Sequence, residues 1–111
     1  MTKRKLTQSE IDLISWMIKD KTEAQYIVPK LNTLMVEEMD DGGMGSLRVV
    51  SEENRVFLKD LAEVELYDQD GVLLFISVYL DNNNDFFELD VWKADYSPLI
   101  KFPDSPNKIS Y

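Results

Sequence analysis

A chain of 111 residues with 44% apolar content, twelve aromatic residues and a net charge of −9 can build one domain around a single hydrophobic core. The negative balance disfavours unaided binding to nucleic acid or to anionic membranes, which select for Lys and Arg. The absence of Cys and His excludes disulfides, thiolate catalysis and zinc–thiolate sites, and removes the commonest general base and transition-metal ligand.

Near the N-terminus Lys3-Arg4-Lys5 reads as part of a mobile basic tail over residues 1–5. A polar stretch follows, so no signal-peptide core is expected, and no apolar run approaches the ~20 residues of a membrane span. A cytoplasmic, reducing setting is the expectation. Thr7-Gln8-Ser9-Glu10 fits a capping box, with Leu6 and Ile11 placed for a hydrophobic staple. Ile11, Ile14, Met17 and Ile18 recur at helical spacing, widened by Leu13 and Trp16. A second helix is expected after Thr22, where Thr22-Glu23-Ala24-Gln25 repeats the capping pattern, with Pro29 ending or kinking it. Residues 6–31 are thus helical.

From Leu34 the period becomes two. Leu34–Met39 reads as a strand, the Gly-rich segment 40–45 as a turn, and Leu47–Val50 as the returning strand. Residues 51–54 are a polar connection, and the pattern of 55–60 is ambiguous. Ala62, Val64 and Leu66 then alternate with Glu63, Glu65 and Tyr67. After a turn at 68–71 comes Val72–Leu80, long, apolar and placed centrally in the sheet. Residues 81–85 turn the chain into Phe86–Trp92, and prolines at 98, 103 and 106 mark an irregular tail over 96–111. The whole is one domain, 1–111. The expected fold is α+β: two N-terminal helices packed on one face of a four- to five-stranded antiparallel β-meander over 34–92.

The acid is concentrated. Residues 37–95 carry sixteen Asp and Glu against four Lys and Arg. Strand alternation places Glu63, Glu65, Tyr67, Glu88, Asp90 and Trp92 on one face, opposite Val64, Leu66, Leu89 and Val91. Ser77 and Tyr79 join them from the long strand, and Phe86 takes the same nominal face. Polar residues alternating with apolar ones are also what any solvated strand shows. Aromatic rings set among the carboxylates are instead the material of interaction hot spots. Asp40, Asp41 and Asp70 in the turns can extend such a surface.

Three chemical motifs begin and fail. Asp81-Asn82-Asn83-Asn84-Asp85 opens like a calcium loop, but Phe86 stands where Gly is needed and Trp92 where the bidentate Glu belongs. Asp41-Gly42-Gly43-Met44-Gly45 lacks the Lys-Ser/Thr of a phosphate loop, and Asp40 and Asp41 repel phosphate. The carboxylate pairs Glu63/Glu65 and Glu88/Asp90 show no spacing that identifies an acid and a base. No catalytic residue, metal site or cofactor is assigned, and no enzymatic activity is expected.

Two segments carry a resemblance: residues 36–47, containing Asp41-Gly42-Gly43-Met44-Gly45-Ser46-Leu47, and residues 87–99, containing Phe87-Glu88-Leu89-Asp90-Val91-Trp92-Lys93 and Ser97-Pro98-Leu99. With the opening Arg4-Lys5-Leu6-Thr7 they are similar to the signature segments of a family of small, largely uncharacterised bacterial proteins. In type and size the chain also resembles the immunity proteins of contact-dependent growth inhibition and related polymorphic toxin systems. That resemblance implies a stoichiometric inhibitor of a basic toxin domain, such as a ribonuclease or other nuclease, with no direct contact to nucleic acid or membrane. Neither resemblance carries over any functional residue; strand parity and turn position assign the contact surface to Glu63, Glu65, Tyr67, Tyr79, Glu88, Asp90 and Trp92 with Asp40, Asp41 and Asp70. The alternative is a non-enzymatic adaptor that binds a basic segment of a host protein.

Overall fold

The structure, a computed structural model, describes residues 3–51 and 54–103. Residues 1 and 2 of the expected basic tail, 52 and 53 of the polar connection, and 104–111 of the expected irregular tail lie outside the described residues.

The capping box forms as the spacing predicts. The Glu10 amide donates to the Thr7 hydroxyl at 3.2 Å, and the Thr7 amide donates to the Glu10 carboxylate at 2.8 Å, starting helix α1 (Gln8–Ile18). The same carboxylate accepts two bonds from the Arg4 guanidinium, at 2.8 and 2.9 Å. This two-point clamp ties the N-terminal segment down, so residues 3–5 are not a tail. Lys3–Lys5 is strand β1, antiparallel to β2 (Met35–Glu38), with Arg4 opposite Val36. Thr7→Ala removes the cap acceptor and is expected to cost about 1 kcal/mol. The effect should appear as a lower urea midpoint with an unchanged denaturant slope.

The second helical stretch is shorter than its sequence suggests. Helix α2 spans only Ala24–Ile27, with no side-chain cap from Glu23, and passes into a 3-10 turn at Val28–Thr33 that has Pro29 in its first positions. Proline lacks the N–H an α-helix would require of it, so the chain tightens here.

Four more strands follow: β3 (Leu47–Val49), β4 (Phe57–Tyr67), β5 (Leu73–Asp81) and β6 (Phe86–Lys93). The fold is α+β, but among the described residues the antiparallel sheet has six strands, in the order β1-β2-β3-β6-β5-β4, and a strand precedes the helices. The expected meander holds only for β4–β5–β6. The chain crosses from β3 to the far edge before returning, which leaves β5 interior and puts β3 and β6 at the centre. Alternate strand residues (Val36, Leu47, Val49, Leu74, Ile76, Val78, Leu89, Val91) share one buried cluster with Leu13, Ile14, Ile18, Ile27 and Leu31 of the helical segment. Each such side chain contributes about 1.5–3 kcal/mol by leaving water. Among the described residues, no helix packs against the opposite sheet face. No helix among the described residues is long and apolar enough to cross a membrane.

Candidate functional site

The uncovered face is set by pairing register. Across the sheet run Lys3, Glu37, Arg48, Glu88, Tyr79 and Asp60, each opposite the next. A second row holds Asp90, Ser77 and Glu63, and a third Trp92, Phe75 and Glu65. The two halves differ in charge. On the β1–β3 side cations alternate with acids, and Arg48 donates to Glu88 at 2.9 and 3.1 Å. On the β4–β5 side the charged residues of these rows are all acids. Among the described residues, Asp60, Glu63, Glu65 and Asp90 form no ion pair. A hydrogen bond with Asp60, and then the Asp60 charge, hold the Glu63 carboxyl above its usual range. Burial, then the charges of Asp90 and Asp60, push the Tyr79 phenol up to about 12, so it stays protonated near neutrality. Its hydroxyl donates to Asp90 at 3.3 Å.

Rings border these carboxylates on two sides. Phe57 meets Tyr79 edge-on, with centroids 5.1 Å apart. Phe75, Trp92 and Tyr96 form a row with centroid spacings of 5.8 and 5.7 Å, and all three are exposed. Between the two groups lies a shallow depression of about 440 Å³, lined by Glu63, Val64, Glu65, Phe75, Ile76 and Ser77.

The structure therefore brings together Glu63, Glu65, Tyr79, Asp90 and Trp92 of the expected surface, with Tyr67 exposed at the end of the same β4 row. Glu88 shares the face but is only 7% exposed and is held by Arg48. Two of the three turn acids, Asp41 and Asp70, serve the fold instead. The Asp41 carboxylate accepts from the amides of Met44 and Ser46, at 3.0 and 2.9 Å. Asp70 accepts from the buried Lys93 ammonium at 2.7 Å. Asp40 is exposed in the β2–β3 turn, away from the β4–β5 rows. Phe86 departs from its expected face. A register shift beside Tyr79 pairs Leu80 with Phe86 and turns that ring into the core.

Sequence reasoning missed Asp60, Phe57, Phe75 and Tyr96. Phe75 has the parity of Ser77 and Tyr79 and was hidden by the uniformly apolar run around it. Asp60 and Phe57 lie where β4 has two register shifts, which break alternation. Tyr96 follows the last strand in a left-handed conformation, φ 64°, which no periodicity announces.

The two resemblance segments pack on each other. The Ser46 hydroxyl accepts from the Val91 amide at 2.9 Å and donates to the Val91 carbonyl at 3.1 Å. The Leu99 amide donates to the Gly43 carbonyl at 2.9 Å. Gly45, at φ 103°, sits so close to Leu99 that a Cβ would lie 3.0 Å from its side chain. These segments form a clasp that closes the end of the sheet. Leu99 of the clasp and Phe102 beyond it pack against the core.

The loop at 81–85 is the β5–β6 turn. Its Asp81 carboxylate accepts from the Asn83 and Asp85 amides and pairs with Arg55, while Asp85 pairs with Lys30. No group of three acids placed to hold a metal ion occurs among the described residues.

A family model described as "Domain of unknown function (DUF6984)" matches residues 3–103. No curated protein matches the chain, and no solved structure does.

Proposed function

We propose that this chain, which belongs to the family described as Domain of unknown function (DUF6984), is an immunity protein that neutralises a basic toxin domain by covering its active site. The observation that carries the reading is the β4–β5 half of the open sheet face. There, Asp60, Glu63, Glu65 and Asp90, none in an ion pair among the described residues, lie across three neighbouring rows, Asp60 and Asp90 next to Tyr79, beside the exposed row of Phe75, Trp92 and Tyr96. Like charges gathered on a rigid sheet raise one another's energy, and an oppositely charged surface relieves that repulsion. Nuclease sites are lined with positive charge to hold phosphates, so such a face competes for that charge and steers rapid encounter. The rings supply apolar anchoring, which charge alone does not. In this reading the chain acts by binding in the cytoplasm and uses no catalytic group, metal or cofactor.

Glu63, Glu65, Asp90, Tyr79, Trp92 and Tyr67 remain the proposed contacts, joined by Asp60, Phe57, Phe75 and Tyr96. The test is co-purification with the toxin domain encoded immediately upstream. A stable one-to-one complex that weakens as salt rises is expected. The lack of any complex at low salt and micromolar protein would refute the toxin reading. Capture of an unrelated basic host protein on the same face would favour the adaptor alternative.

A further inference from the structure

The sheet order leaves β4 at an edge, with no strand beyond it among the described residues. It is the longest strand, eleven residues, whereas the opposite edge strand β1 has three. Alternate residues of an edge strand turn their N–H and C=O groups outward, ready to pair with another chain. The two halves of this edge differ. From Phe57 to Leu61 two register shifts distort the strand, a common way of blunting an edge. From Ala62 to Tyr67 the pairing with β5 is unbroken. In this regular half Val64 and Leu66 pack on the core yet stay partly exposed, with Lys101, Phe102 and Pro103 beside Leu66 and Tyr67 at one end, while Glu63 and Glu65 are exposed on the outer face.

The side chains select what can pair there. Two copies joined antiparallel through this half would set Glu63 and Glu65 against the same acids, and like charges directly opposite are destabilising. A strand with Lys or Arg at alternate positions sets cations against both acids. Its intervening apolar residues then continue the core face beside Val64 and Leu66. We infer that the open edge of residues 62–67 receives an extended basic segment of the partner as a seventh strand. This inference rests on the reading that a basic protein meets the outer face, and it names how that protein attaches. Main-chain bonds give affinity, and the alternating side chains give specificity.

The test uses the full chain and a blocked eight-residue peptide of alternating Lys and Val, followed by amide hydrogen exchange at low salt. Added peptide is expected to slow exchange of the outward amides within residues 62–67 at least ~10-fold, as new hydrogen bonds form. The same peptide N-methylated along one edge keeps its charge but cannot complete the ladder, and should bind at least ~10-fold more weakly. Equal binding of the methylated peptide overturns strand addition while leaving the charged face as the docking surface. Lack of binding by either peptide at millimolar concentration also overturns it, and leaves the toxin complex to be judged by co-purification. Protection of β4 that grows with chain concentration without peptide assigns the edge to a second copy, and overturns the inference as well.

Discussion

Asp68→Ala is expected to lower the melting temperature by more than about 10 °C, because it breaks a buried pair on which the end of the sheet is built. Lys93 lies on β6 opposite Leu74, on the core side, and is 0% exposed. Its ammonium donates to Asp68 at 2.8 Å, to Asp70 at 2.7 Å and to the Pro98 carbonyl at 3.2 Å, which uses all three of its protons. Asp68 in turn accepts from the amides of Ile100 (2.8 Å), Lys101 (3.2 Å) and Gln69 (2.7 Å). Removing it leaves a buried cation with one carboxylate and three backbone amides without this acceptor.

The pH dependence follows. Burial pushes the Asp68 carboxyl up, but the Ile100 amide, the Lys93 ammonium and the other amides outweigh it and hold it at about 2. A folded-state pKa below the unfolded value of 3.8 gives stability that is present above pH 4 and lost as pH falls towards 2. Thermal melts of the parent and Asp68→Ala should therefore converge across that window. A variant as stable as the parent at pH 7 would show that this knot does not hold the fold.

Reversing Asp60, Glu63 and Glu65 to Lys is expected to slow association with the basic partner at least ~10-fold at low salt, and much less at high salt. The unbound chain should keep its melting temperature, since none of the three forms an ion pair among the described residues and Glu63 is burdened by Asp60. The raised Glu63 pKa supplies the sign. The folded state holds that proton more tightly than the unfolded state, so ionisation at neutral pH works against folding, and Glu63→Gln should melt no lower than the parent. Reversal at Glu88 is different in kind, because it strands Arg48 and loads a buried position. Trp92→Ala should act mainly on dissociation, by ~2 kcal/mol or about 30-fold, as loss of a ring anchor does. Stopped-flow association and surface-plasmon dissociation separate these effects. Unchanged association kinetics in the triple variant would remove this face from the binding account.

Much of the site was readable from parity. Glu63, Glu65, Asp90 and Trp92 lie in regular stretches where two-residue alternation decides the face, and Tyr79 follows from the same rule. Parity fails where the register slips, at Phe57–Ala62 and at Phe86, because one extra residue reverses every side chain beyond it. Charge count was less informative than charge placement. Of the sixteen acids in residues 37–95, Asp68, Asp70, Asp81, Asp85 and Glu88 are paired with cations, three of which come from within the same acidic stretch.

By itself the sequence determined the elements set by local chemistry. These include the Thr7–Glu10 box that starts α1, the glycines that turn the chain before β3, and the alternation that makes β4–β5–β6 two-faced. Lacking Cys and His, it also ruled out whole classes of chemistry. Only the tertiary structure decided which acids are used up in holding the fold and which are left over. That outcome depends on partners far away in sequence: Arg48 reaching Glu88, Arg55 reaching Asp81, Lys93 reaching Asp68. The crossing from β3 to the far edge has the same origin, because strand order depends on which apolar faces bury one another rather than on any local signal. It leaves β4 as an open edge beside the unneutralised acid.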